Sequence, residues 1–140
     1  MDGFSFTHLE NVRFSDLDGR NHVNNAVLCT FLEQARLAWF DATGDGPSPT
    51  TYRIDVILAR TEIDYRSELR FGETAEIGVR VGRIGNRSFD FEYEIRAGDG
   101  RLVAEARSVQ VAYDFVSGQS APLPEHWRTR LERATARAVG

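Results

Sequence analysis

From Asn25 onward the apolar positions recur at helical spacing. Leu28, Phe31, Leu32, Ala35, Ala38, Trp39 and Ala42 share one face, and Val27, Cys29, Leu37 and Phe40 add a second. Asn24 and Asn25 are good N-cap residues, and Thr43-Gly44-Asp45-Gly46-Pro47 supplies a stop. A helix that is apolar on most sides is a buried helix. Glu33, Gln34 and Arg36 interrupt this one, and it is too short for a membrane span. The pattern therefore predicts a central rod over Asn25–Ala42, enclosed by the rest of the chain, with the polar turn Asp16–Asn24 at its N-terminal mouth and a loop over Gly44–Thr51 behind it.

Beyond that loop the period changes from helical to alternating. Ile57, Ala59, Ile63 and Tyr65 share one parity, as do Ala75, Ile77, Val79 and Val81, and then Phe89, Phe91, Tyr93 and Ile95. Each run reads as a strand with one dry and one wet face. Gly85-Asn86 and Gly98-Asp99-Gly100 sit where hairpin turns are required. Along Arg101–Phe115 the apolar parity switches, from Leu102, Ala104 and Ala106 to Val109, Val111 and Tyr113, which predicts a bulge near Arg107–Ser108. Phe4–Phe14 supplies one more strand. The chain closes in a short amphipathic helix opened by Pro122–Pro124, with Trp127, Leu131, Ala134 and Ala138 on one face. The fold class is α+β: a curled antiparallel sheet of about five strands around one long central helix, plus a short C-terminal helix, in a single domain over 1–140.

Composition narrows the function. Hydrophobic residues make up 41% and charged residues 27%, the balance of an ordinary soluble globular protein. The net charge of -4 argues against non-specific nucleic-acid binding. All 17 basic residues are Arg, which excludes a catalytic lysine. A single Cys29 forms no intramolecular disulfide, and MDGFSFTHLE has neither the basic region nor the apolar run of a signal peptide; a cytoplasmic location is the expectation, with no membrane as partner. His8, His22 and His126 lie far apart without ligand-like spacing, so no metal site is expected.

The stretch DLDGRNHVNNAVLCTFLEQAR resembles the signature of hotdog-fold acyl-CoA thioesterases of the 4-hydroxybenzoyl-CoA thioesterase type, whose members carry D-x-D, a short turn, often G-H-V-N-N, and then F-x-E-A-R on the helix. IDYRSELRFGETAEIGVRVGRIGNRSFDFEYEIR, RLVAEARSVQVAYD and APLPEHWRTRL follow in the family's order, so the likeness runs from about Leu9 to Leu131. What it implies is hydrolysis of an acyl-CoA or acyl-carrier-protein thioester, with coenzyme A as part of the substrate and no separate cofactor. Asp18 matches the catalytic carboxylate, acting as nucleophile or as a base for water. Asn25 matches the residue whose backbone N–H polarises the carbonyl, a role suited to the unpaired first amides of a helix. His22, Asn24 and Leu28 are the candidates for substrate contact. Two departures matter: Asn21 stands where the family has Gly, a position Asn tolerates, and Leu28 stands where Tyr is common, which suggests aliphatic over aromatic acyl chains.

Without a P-loop or Rossmann glycine pattern, phosphate binding falls to Arg side chains. Arg83, Arg87 and Ser88 around the Gly85-Asn86 turn resemble the family's R-I-G-x-x-S, and Arg60 and Arg66 complete the candidates for the CoA phosphates. Several neighbours have plainer readings. Asp16 suits a turn cap or an Arg partner, Glu33 an ion pair within ExAR, and Cys29 a buried apolar filler. A hotdog hydratase or dehydratase is the rival enzyme class, but neither H-F-P nor D-x-N-P-x-H is present. A non-catalytic acyl-CoA-binding module is the third possibility. The exposed sheet edges and the resemblance together imply a homodimer or homotetramer.

Overall fold

The computed structural model describes residues 1, 3–43 and 56–139, with side chains followed to residue 135. The elements run β1 (Phe6–Asn11), α1 (Asn25–Thr43), β2 (Val56–Tyr65), β3 (Thr74–Ile84), β4 (Ser88–Ala97), β5 (Leu102–Asp114), β6 (Gln119–Ser120) and α2 (Glu125–Val139). The sheet has the order β1-β3-β4-β5-β2, with every neighbouring pair antiparallel, and β6 pairs with the end of β5. This is the expected architecture, with one short strand more. The Gly44–Thr51 loop and the Ala138 side chain lie outside the described residues.

Strands β3 and β4 follow their alternation. Ala75, Ile77, Val79 and Val81 are buried on one face, and Phe89, Phe91, Tyr93 and Ile95 join them. Leu28, Phe31, Leu32, Ala35 and Trp39 of α1 bury against that face. At the far end Trp39 meets Phe91 edge-on at 4.9 Å, and Trp127 of α2 stacks on Phe89 at 5.9 Å. The outward face is laced with ion pairs such as Arg80 to Glu92 and Arg107 to Asp90.

Four expectations need correction. First, β5 has no bulge at Arg107–Ser108. The registers Phe91↔Ser108 and Phe89↔Gln110 keep Ala104, Ala106, Ser108, Gln110 and Ala112 on the inner face throughout. The inner face simply turns polar: Tyr93 Oη lies 2.6 Å from Ser108 Oγ, Ser108 bonds Gln110, and the Gln110 amide donates to the Phe89 carbonyl. Satisfied in this way, buried polar groups are tolerated. The irregularities fall instead between Ile95 and Arg96, opposite Val103, and between Leu58 and Arg60 of β2. Second, that break in β2 puts Ile57 opposite Val111 on the outer face, so Ile57 does not share a side with Ile63 and Tyr65. Third, the first strand stops at Asn11, and Phe14–Asp16 forms a single 3₁₀ turn. Fourth, α1 is buried on one side only. Cys29 and Leu37 are exposed, and no element of the described chain covers them.

Candidate functional site

The turn before α1 is built around Asp16. Its carboxylate is 2% exposed and accepts from the Arg13 amide at 2.8 Å and the Arg13 guanidinium at 3.1 Å. Burial pushes the carboxyl pKa upward, but these bonds outweigh it and leave Asp16 below its ordinary value. The Asp16 carbonyl accepts the Asn24 N–H at 2.9 Å, fixing where the helix begins. Asp16→Ala is therefore expected to cost about 1–3 kcal/mol in a urea denaturation, because the Arg13 amide loses its acceptor. A folded-state pKa below the unfolded one gives stability that is present above about pH 4 and is lost as pH falls through the depressed value. The parent should thus lose part of its advantage over the variant in acid.

From Leu17 to Val23 the chain doubles back. The Asp18 N–H donates to the His22 carbonyl at 2.8 Å, and Leu17 bridges Val23. Asn21 takes φ +62, the left-handed backbone that the substitution of Gly by Asn requires. The turn is then sewn to the segment after β2: the Val23 N–H donates to the Leu69 carbonyl at 2.8 Å, and His22 bridges Arg70. His22 Nε2 lies 3.0 Å from a Glu68 carboxylate oxygen.

Asn24 is the N-cap, its Oδ1 accepting the Ala26 N–H at 2.8 Å. Asn25 is thus the first helical residue, and its own N–H has no protein acceptor among the described residues. A cavity of about 600 Å³ opens beside it. Asp18, His22, Asn25 and Leu28 line one wall, and Tyr65, Arg66, Glu68 and Arg70 line the other, with Leu69 and Val103 among the apolar lining. Asp18 is exposed to this space, and its Oδ1 accepts the Arg20 N–H at 2.8 Å. A carboxylate and a helix-terminal amide without a protein acceptor, on two residues that line one cavity, are the parts needed to attack a carbonyl and hold its oxygen.

The structure brings together Asp18, Asn25, His22, Leu28 and Arg66 of the residues singled out from sequence. Asn24 caps the helix and does not line the cavity. Arg60 pairs with Glu62 on β2, Arg83 donates to Ser88 and Asp90 in the β3–β4 hairpin, and Arg87 donates to the Ser120 carbonyl; within one chain none of these reaches the cavity. Glu33 is exposed and does not pair with Arg36, which turns inward to the Tyr93 hydroxyl at 3.4 Å. The sequence reading missed Arg20, Tyr65, Glu68, Arg70 and Arg101. For Tyr65, Glu68 and Arg70 the signal was the run Asp64–Arg70, polar and aromatic just where β2 ends; Arg20 and Arg101 had none. No group of three or more His, Cys, Asp or Glu suited to a metal ion occurs among the described residues, and no helix among them is long and apolar enough to cross a membrane.

Known proteins share the fold. A family model for the thioesterase-like superfamily matches residues 12–131. The long-chain acyl-CoA thioesterase FadM of Escherichia coli K12 is 26% identical over 123 residues, covering 87% of this chain and 93% of its own. A thioesterase from Thermus thermophilus, crystallised with coenzyme A and Zn, superposes with a TM-score of 0.85 at 32% identity, over 97% of this chain and 98% of that one. The Synechocystis protein Slr0204, a 1,4-dihydroxy-2-naphthoyl-CoA thioesterase, shares the fold with a TM-score of 0.80 at 21% identity, over 90% of this chain and 94% of its own.

Proposed function

The chain belongs to the thioesterase-like superfamily, and from that premise we propose that it hydrolyses acyl-CoA thioesters to the free acid and the thiol. One observation carries this reading: Asp18 and the unpaired Asn25 amide line the same cavity at the start of α1. With the thioester carbon beside Asp18 and its oxygen on the Asn25 N–H, two routes lead to products. The carboxylate can attack the carbon, expelling the CoA thiolate to leave a mixed anhydride that water then opens. Alternatively it takes a proton from a water that attacks directly. In both, negative charge grows on an oxygen held at the positive end of a helix. The D-x-D, HVNN and ExAR order supports the 4-hydroxybenzoyl-CoA thioesterase type within the superfamily. Leu28 on the cavity wall supports an aliphatic acyl group.

Coenzyme A is favoured over a carrier protein because of the relatives: one acts on long-chain acyl-CoA and another was crystallised with coenzyme A. Arg66, Arg70 and Arg20 supply cations at the cavity for its phosphates. Edge strand β2 carries exposed Ile57, Leu58 and Tyr65, and α1 exposes Cys29 and Leu37. Those surfaces support a homodimer in which a second copy brings Arg60, Arg83, Arg87 and Ser88 toward the ligand. A lone thiol suits the reducing cytoplasm as the working compartment.

The test is free-thiol release from a panel of acyl-CoA thioesters running from short to long chains, with acyl-carrier-protein thioesters alongside. Asn25→Pro sharpens it. Proline is well accepted at the first helical position; it removes the N–H together with the carboxamide side chain, and Asn25→Ala, which keeps the N–H and is expected to retain activity, separates the two. For Asn25→Pro a loss of about 10² in kcat with an unchanged melting curve is expected. Full activity in the proline variant would remove Asn25 from the mechanism.

A further inference from the structure

Two tyrosines stand on the concave face of the sheet, and they are held very differently. Tyr93 is 3% exposed and locked, its hydroxyl 2.6 Å from Ser108 Oγ and accepting from Arg36. Tyr65, the last residue of edge strand β2, is 47% exposed and lines the cavity with Asp18 and Asn25. Among the described residues its hydroxyl makes one hydrogen bond, a 3.5 Å donation to the carbonyl oxygen of Asn25. That distance is at the limit for a hydrogen bond. The acceptor also belongs to the helical i→i+4 pattern, so the bond from Tyr65 is surplus to the helix. The hydroxyl is thus only weakly held.

The position of that hydroxyl is informative. Asn25 carries both the oxygen it touches and, three covalent bonds away, the N–H with no acceptor. In a helix that N–H and that carbonyl point in opposite directions, so an oxygen placed on the Asn25 N–H is reached only when the Tyr65 side chain leaves the carbonyl and swings towards the helix start, within the cavity that both residues line. We propose that Tyr65 is a second catalytic hydrogen-bond donor, transferring its hydroxyl from the Asn25 carbonyl to the thioester oxygen and holding the oxyanion together with the Asn25 amide. No proton changes hands in this role: charge develops on the substrate oxygen, and the O–H donates to it throughout. Burial and the nearby Cys29 hold the Tyr65 hydroxyl above its ordinary pKa, so it stays protonated and able to donate at neutral pH. Paired donors aimed at a developing oxyanion are the usual construction of such sites. The exposed Tyr at the end of β2 thereby acquires a reason to be Tyr and not Phe.

The proposal rests on the hydrolase reading, and two measurements on Tyr65→Phe separate them. The variant keeps the ring and loses one oxygen. With saturating acyl-CoA, kcat is expected to fall about tenfold to a hundredfold while KM and the melting temperature stay near the parent's. A merely structural ring predicts unchanged kcat, and that result overturns the proposal. The second measurement is the infrared carbonyl band of an acyl-CoA labelled with ¹³C at the thioester carbon, bound to Asp18→Asn and to the double variant Asp18→Asn with Tyr65→Phe. The band is expected at lower frequency when the tyrosine is present. Should the parent release no thiol from any acyl-CoA, the hydrolase reading falls, yet the band shift still decides whether Tyr65 touches the carbonyl. Equal bands overturn the Tyr65 role, and the absence of any bound ester overturns both.

Discussion

Asp18→Asn is expected to lower kcat for acyl-CoA hydrolysis by about 10³-fold or more, with KM changed little. Asn keeps the size of Asp and an oxygen in the place where Oδ1 accepts the Arg20 N–H at 2.8 Å, so the turn retains that bond. It loses the negative charge that either route needs: a neutral amide neither attacks the thioester carbon nor takes a proton from water. Asp18 is exposed and makes no ion pair among the described residues, so the fold does not depend on its charge. A stability change within about 0.5 kcal/mol is expected. Thiol release and thermal melting on the same preparation separate chemistry from folding. Parent-like turnover in Asp18→Asn would move the reaction to another group, and His22 with its Glu68 partner lines the same cavity.

How much of this was readable beforehand depends on where each residue finds its partners. Strands β3 and β4 were legible because their inner faces are apolar at every second position, from Ala75 to Val81 and from Phe89 to Ile95. The β5 strand was misread because Ser108 and Gln110 occupy inner positions. Polar residues there look like a change of face until Tyr93 and the Phe89 carbonyl are seen to satisfy them. The β2 strand lies at the sheet edge, where burial is weak and the break at Leu58/Arg60 leaves no mark on hydrophobicity. In the site, the helix start and the turn before it are local in sequence, so DLDGRNHVNN marked the mouth of α1, with Asn24 and Asn25 as alternative caps, while Asp18 was singled out by the resemblance. The opposite wall could not be placed that way. Tyr65, Arg70 and Arg101 arrive there through long-range pairings, such as Val23 to Leu69 and the 2.9 Å bridge from Arg101 to Glu73, that no periodicity encodes.

Trp39→Ala is expected to cost about 3–5 kcal/mol, a large share of the roughly 5–15 kcal/mol that holds a domain folded. Trp39 is 1% exposed and stands at the end of α1 away from the cavity. It touches Phe40 and Phe91 edge-on, and Phe40 in turn meets Trp127 of α2, which stacks on Phe89. Removing it leaves a void between the central helix, the sheet and the C-terminal helix, and rigid rings around that void collapse poorly. The consequence for function follows from distance. Fourteen residues of helix separate Trp39 from Asn25, about 21 Å along the axis. The cap at Asn24, the bond from Asn24 to Asp16 and the bond from Val23 to Leu69 hold the cavity end independently. The molecules that remain folded should therefore keep near-normal kcat, while the urea midpoint falls steeply and m is preserved. If kcat per folded molecule collapses together with stability, the two ends of α1 are coupled more tightly than these separate anchors imply, and the helix acts on the site as a lever.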